Sequence, residues 1–292
     1  MSENRGIQHM RQLTCLLLAA CLASPAFAQN PPAAGTMPTP EDVAKKDMVT
    51  VAAGAAIVPD YEGSDDYRIV PAGALRAKFS GLTFVTRGSY LFVDVVPGNA
   101  KFDFDAGPVV GVRFNSRRHI DDDIVKLLPD RKNAIEAGAF AGVSLHQLTN
   151  PYDTLSFRVD VLHDIGSAHK STTFSPSVEF STPVSRRTYV GANVSAEFVS
   201  NKFADYYYSI SPADSVATGG VLAPFNASGG MKNWKAGLLV NQSITGDLLH
   251  GLSIYGLGQY SHLLGDFKRS PIVADRGSAS QWIGSLGLAY TW

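Results

Sequence analysis

"KFDFDAGPVVGVRF", Lys101 to Phe114, is the stretch on which the fold turns. Phe102, Phe104, Ala106, Pro108, Val110, Val112 and Phe114 share one face of an extended chain. Lys101, Asp103, Asp105, Gly107, Gly111 and Arg113 share the other, because successive strand side chains point to opposite sides. The same period of two returns in "TLSFRVDV" (154–161), "FSPSVEF" (174–180) and "VGANVSAEF" (190–198). A soluble antiparallel sandwich buries such an apolar face in its core. An outer-membrane barrel turns it to lipid and the polar face to the lumen. Length separates the two: sandwich strands average about 5–6 residues, whereas lipid-spanning strands need about 9–11. Several segments here keep alternating for nine residues or more, which favours the barrel.

The same alternation marks 12 candidate strands at 48–58, 68–80, 82–88, 89–96, 101–114, 133–147, 152–165, 170–182, 187–200, 231–244, 248–263 and 280–292. The three longest connections, 115–132, 201–230 and 264–279, all follow odd strands, and the even strands are followed by short turns. Short periplasmic turns and long outer loops give this asymmetry when both termini are periplasmic. The fold expected is therefore all-β: a closed antiparallel transmembrane barrel of about 12 strands. Closure requires the last strand to pair with the first, since lipid tolerates no open edge. "MVTVAAGAAIV" (48–58) is a suitable partner for "SLGLAYTW" (285–292), in which Leu286, Leu288, Tyr290 and Trp292 share a face. Trp292, Tyr290, Trp282, Tyr189 and Trp234 are candidates for interfacial aromatic girdles.

Composition agrees. The chain has 292 residues and 27 Gly, and only 17% of it is charged, below the ~25% of soluble proteins. A net charge of −1 lacks the basic excess that nucleic acid would need. Arg5 and Arg11, an apolar run from Leu13 to Leu22, and Ala26 and Ala28 ahead of Gln29 form a secretory signal cleaved after residue 28. The alternative is a lipobox at "LAAC", with lipidation of Cys21. Residues 29–47 open with the Pro-rich "QNPPAAGTMPTP" and read as a flexible periplasmic linker; 48–292 is the barrel. Cys15 and Cys21 are the only cysteines, so a chain cut after residue 28 carries no disulfide and no thiolate.

Three segments resemble the MltA-interacting protein/OmpV family of Gram-negative outer-membrane proteins. They are "PDYEGSDDYRIVP" with Pro59, Tyr61, Gly63, Ser64 and Pro71; "YYYSISPADS" with Tyr208 and Ser209; and "LLGDFKRSPIVADRGSASQWIGSLGLAYTW" with Gly265, Asp266, Ser270, Pro271, Gln281, Tyr290 and Trp292. The final Trp departs from the Phe more usual in the family. The resemblance implies localisation in the outer membrane, with lipid and the barrel-assembly machinery as partners. For the founding member it also implies a non-enzymatic scaffold joining a murein transglycosylase to a penicillin-binding murein synthase. Other members are linked to adhesion or to drug and stress responses.

Catalytic and metal-binding alternatives are weaker. His119, His146, His163, His169, His250 and His262 follow the leader. His163-Asp164 is a candidate acid/base pair, against the blander reading of a solvated rim or lumen histidine. Ser261-His262 lacks the G-x-S-x-G elbow of a hydrolase. Asp121-Asp122-Asp123, after Arg117, Arg118 and His119, does not have the spacing of a calcium loop and reads as a solvated loop of mixed charge. The acids of "YEGSDDY" read as a turn with Gly63-Ser64 at its tip. Asp103, Asp105, Arg113, Arg158, Asp160 and Glu179 face inward, either lining a small-solute pore or packing the lumen shut. No catalytic residue, metal or cofactor is expected, and a lipid-modifying enzyme is the least favoured reading.

Overall fold

The computed structural model describes residues 47–98, 101–117 and 120–292. The signal segment 1–28, nearly all of the 29–47 linker, Arg118 and His119 lie outside the described residues. Twelve strands form the barrel: β1 (Met48–Pro59), β2 (Tyr67–Phe79), β3 (Leu82–Arg87), β4 (Tyr90–Asp94), β5 (Phe102–Arg113), β6 (Ala134–His146), β7 (Thr154–Asp164), β8 (Thr172–Pro183), β9 (Thr188–Val199), β10 (Gly230–Ser243), β11 (Gly251–Leu263) and β12 (Ser280–Thr291). Each pairs antiparallel with its sequence neighbours, and β12 pairs with β1 from Thr50↔Thr291 to Ile57↔Gly284, closing the ring. A walk round the paired registers returns to β1 displaced by about 14 residues, a shear that tilts 12 strands by about 40°.

The lipid-facing alternation is as read. Phe104, Val110, Phe157, Phe174, Val178 and Val194 are exposed on the outer face, as are Leu286, Leu288, Tyr290 and Trp292. Trp234, Tyr260 and Trp282 stack in a row, with centroids 5.3 and 4.9 Å apart. Tyr290 and Trp292 stack at the other end of the same face, 4.6 Å apart. At about 3.3 Å per residue and this tilt, the two girdles along β12 stand about 25 Å apart, the height of the apolar band of such barrels. Tyr189 is a correction. It pairs with Asn241 on the lumen face, because it shares parity with Gly191 and Glu197 and not with Val190.

The long connections gather at one end of the barrel and the short turns at the other, with the start of β1 and the end of β12. At the loop end, among the described residues, four α-helices and a 3-10 turn (Val125–Leu127) lie across the mouth: α1 (Asn201–Tyr208), α2 (Pro212–Ala217), α3 (Gly265–Arg269) and α4 (Pro271–Ala274). Ser200 caps α1 through Phe203 N, and Ser211 and Asp214 form a capping box on α2, each satisfying amides that a helix start leaves free.

Candidate functional site

The main hydrophobic core of this protein is not in the barrel wall but in its cap. Tyr61, Ile120, Val125, Leu128, Phe203, Tyr207, Tyr208, Ile210, Leu222, Phe267, Ile272 and Val273 form one buried cluster. They come from four connections far apart in the chain. The 60–66 loop keeps the turn read at Gly63-Ser64, with Ser64 N donating to Tyr61 O at 3.0 Å, and folds into this core: Asp60, Tyr61, Gly63 and Ser64 are all buried. Gly63 is required there, since it has φ +105° and a Cβ would meet Val273 at 2.5 Å. Tyr61 Oη donates to the carbonyls of Ile272 (3.2 Å) and Arg276 (3.3 Å). Gln281 accepts from Gly63 N (3.0 Å) and donates to the carbonyls of Ser64 and Ser278 (both 2.8 Å). Ser270 Oγ donates to Tyr208 O at 2.5 Å, and Ser209 Oγ accepts from Ala227 N at 2.9 Å. Asp266 accepts from Ser228 N at 2.9 Å.

The three segments singled out in the sequence thus meet in one structure. Tyr61, Gly63, Ser64, Tyr208, Ser209, Gly265, Asp266, Ser270, Pro271 and Gln281 build or border the cap. Pro59 ends β1 and Pro71 lies on β2. Tyr290 and Trp292 are at the opposite end of the barrel, on the outer face.

Arg117 and Arg131, from the connection before β6, hold α1. Arg117 donates to Tyr207 O and Arg131 to Tyr206 O, so two cations meet the carbonyl end of the helix, where its dipole favours them. Burial, with Arg131 nearby, lowers the Arg117 pKa to about 10. Burial raises the phenols of Tyr61, Tyr207 and Tyr208 well above their usual value, helped by Asp122 at Tyr61 and by Glu62 at Tyr208. Asp122 is a second correction. It is buried, pairs with Arg276 Nη2 at 2.8 Å and accepts from the amides of Ile124 and Val125, whereas Asp121 and Asp123 on either side stay exposed as expected.

Beneath the aromatic core lies a network of buried ions. Glu136 on β6 accepts from Arg113 Nε (3.0 Å) and Tyr90 Oη (2.5 Å), and its other contact is His169 Nε2 at 3.0 Å. Glu197 on β9 pairs with Arg113 (2.9 Å), Lys232 (2.8 Å) and Lys235 (3.2 Å). Lys232 also holds Glu62 of the cap at 2.7 Å. Three carboxylates therefore face three cations, with His169 between wall and cap. Phe203 roofs the network, its ring 4.9 Å from Lys232 Nζ, 5.2 Å from Arg113 Cζ and 4.9 Å from the His169 ring. Most members have more than one partner, and the Glu62–Lys232–Glu197 chain locks cap to wall.

Lower in the lumen, Arg87 on β3 reaches Glu179 on β8 at 2.5 Å, tying opposite sides of the ring. Arg158 pairs with Asp160 at 2.8 Å and lies 4.8 Å over Phe92. Phe92, Val109, Phe140 and Leu162 form a small apolar cluster on the inner face. Asp103 meets His146 at 3.1 Å and Asp105 accepts from Ser144.

The catalytic pairs weighed in the sequence are split by the strand itself. His163 is exposed on the outer face against Thr172, while the buried Asp164 accepts from the amides of Gly166 and Lys170. His262 turns outward to Tyr260 and Ser280, away from Ser261 on the inner face. Sequence reasoning missed Glu136, His169, Glu197 and Lys232. Glu136 and Glu197 are inward-facing carboxylates at one height near the loop end, a pattern readable once the strands are aligned, whereas His169 comes from the connection between β7 and β8. Lys232 is not readable in that way: alternation would place it in lipid, and the β-bulge between Met231 and Asn233 turns it inward.

A closed, even-stranded antiparallel barrel with a lipid-facing apolar band, two aromatic girdles and a capped mouth is an outer-membrane barrel protein. Residues 51–292 match the family described as MltA-interacting protein MipA, and the chain belongs to that family, as the three segments indicated. No curated protein sequence matches it. Solved structures with a similar barrel include an outer membrane channel from Pseudomonas putida F1 (10% identity, 90% of this chain and 100% of that one, TM-score 0.42). The CymD monoaromatic hydrocarbon channel is similar at 10% identity over 87% and 91% of the two chains, TM-score 0.38. A Pseudomonas aeruginosa FadL homologue is similar at 12% identity over 86% and 92%, TM-score 0.35.

Proposed function

We propose that this protein is a non-conducting, non-enzymatic scaffold of the outer membrane that holds a murein transglycosylase and a penicillin-binding murein synthase together. The observation that carries the proposal is the stopper: an aromatic core locked by buried ion pairs over a lumen that Arg87 and Glu179 bridge. A barrel so closed has its exposed surfaces to offer, not a passage. The family's description names one such partner, the transglycosylase MltA. The short-turn end, taken as periplasmic with both termini, and the 29–47 linker left after signal cleavage are the surfaces within reach of murein enzymes. Capture on the immobilised barrel tests this. Both enzymes should be retained well above a control porin, and planar-bilayer recordings should show no steady conductance. Retention of neither enzyme removes the scaffold role, and a stable open channel restores the small-solute reading.

A further inference from the structure

Among the described residues the wall parts beside β2, away from the β1–β12 closure. Strand β2 pairs with β1 along its whole length, Met48↔Lys78 to Pro59↔Tyr67, but with β3 only from Arg76↔Val85 to Phe79↔Leu82. The next rung is made by a side chain. Thr86 Oγ1 accepts from Leu75 N at 2.8 Å and lies 3.4 Å from Leu75 O. Above it β3 turns back into β4 at Gly88-Ser89, and Ser89 is tied to β5 through Val112. Among the described residues, no strand pairs with the β2 edge from Tyr67 to Ala74 on the side away from β1.

The rims of this slit are β2 and the β3–β4 hairpin. Its lintel is made by Asn115 and Asp121, which reach across to the cap through Asn115 Oδ1 with Glu62 N and Asp121 N with Asp60 Oδ2, both 3.0 Å. Carrying the height of Trp282 across β1 with the strand tilt puts Ile69 at the level of the aromatic girdle. The slit from Ile69 down to Leu75 therefore lies within the apolar band. Ile69 is 77% exposed there, and Gly73 and Ala74, on opposite faces of β2, are both exposed, as expected of a wall missing its neighbour. Behind the slit the inner face is built of small residues, Gly54, Ala72 and Ala74.

An unpaired edge at this depth is tolerated only where it lines a cavity or is covered. A second strand is a poor cover, because Pro71 sits mid-edge and offers no N–H. What lies against the slit in the membrane is acyl chain. At its top is Arg68, whose Nε is buried without a hydrogen-bond partner. Its nearest carboxylate, Asp60, is 3.9 Å away. We infer that the β2–β3 slit is a lateral binding site for a phosphate-bearing membrane lipid, with an acyl chain entering the lumen past Ala72 and the phosphate meeting Arg68.

The site is tested with the full barrel in nanodiscs containing phosphatidylglycerol, carrying a photo-crosslinking benzoylphenylalanine at Ala72, at Ile69 or at Leu257. Ile69 faces lipid; Leu257 faces the lumen on β11, away from the slit. Lipid adducts are expected at Ile69 and Ala72 and not at Leu257. Adducts at Ala72 no more frequent than at Leu257 would overturn the proposal. Native mass spectrometry without the bulky probe gives a second reading: Arg68→Gln should retain several-fold less phosphatidylglycerol than the unmodified protein, and equal retention would refute the role of Arg68.

Discussion

The two ends of this barrel are held by opposite means. At the turn end several of the described connections are secured by bonds within the turn itself. Asp153 accepts from the amides of Leu148, Thr149 and Asn150 at 2.6 to 3.1 Å, and Ser185 from those of Arg187 and Thr188. Thr245 accepts from Leu252 N across one turn. At the loop end the decisive contacts join residues distant in sequence: Gly63 with Gln281, Glu62 with Lys232, Arg117 with Tyr207. Turns of the first kind form with their hairpins. The cap forms only when the strands are already side by side. The barrel and its cap should therefore behave as separate units of stability, the cap opening at lower cost than the wall.

The largest effect expected at the turn end is on assembly. Deleting Trp292 removes one aromatic of the lower girdle and the end of the closing strand. It should sharply lower the amount of protein in the outer membrane while leaving detergent refolding intact. Normal levels in cells would remove any assembly role for this residue. At the loop end the largest effect is expected from Glu136→Ala, which takes one of the two carboxylates of Arg113 and leaves Tyr90 Oη and His169 Nε2 without their partner. A cost of about 3–5 kcal/mol is usual for such a loss. Phe203→Ala should cost a similar ~3–5 kcal/mol as a core cavity. Both should make the 200–229 connection sensitive to protease while the barrel keeps its resistance to unfolding in detergent. If strand amides lose hydrogen-exchange protection in step with the cap, the two ends are one unit and the contrast between them fails.

Smaller changes sharpen the same contrast. Gln281→Ala leaves a buried amide and two carbonyls without their partner, at about 1–3 kcal/mol. Tyr61→Phe loses one hydroxyl, at about 0.5–1.5 kcal/mol. Both should register in protease protection of the cap and neither in the thermal unfolding of the wall.

The wall was legible in the sequence because its determinants are local. Alternation, turn chemistry and loop parity put all 12 strands within about three residues of their observed ends, and the pairing of β12 with β1 follows from the need to close. The cap was not legible, because nothing local says that Tyr61 will meet Ile272. Its residues were visible only as a family resemblance, without a role. Where the structure departs from the alternation, it does so by a device that parity hides. The bulge at Met231/Asn233 buries Lys232, and the early turn at Gly88-Ser89 parts the wall beside β2. Tyr189 was misplaced for the opposite reason, since its parity was plain and its aromatic character was given more weight.

The smallest effect is the response of the cap to alkali, and its sign follows from the groups it buries. Tyr61, Tyr207 and Tyr208 have phenols raised above the usual value of about 10. The folded cap keeps these protons longer than the unfolded chain does. Their contribution is complete below pH ~10 and is lost as pH rises toward their folded values. Arg117 acts in the other sense. Its pKa falls to about 10, so loss of its proton above that pH relieves a buried cation and favours the folded cap. Three phenols outweigh one guanidinium, and the cap should open on the alkaline side before the wall does. Ultraviolet difference spectroscopy should then show these tyrosines ionising late and together, in step with protease cleavage of the 200–229 connection. Replacing Arg117 with Met should remove the opposing contribution and shift that opening to lower pH. Early ionisation of all tyrosines with a cap that stays protease-resistant would contradict their burial, and with it the separation of cap from wall.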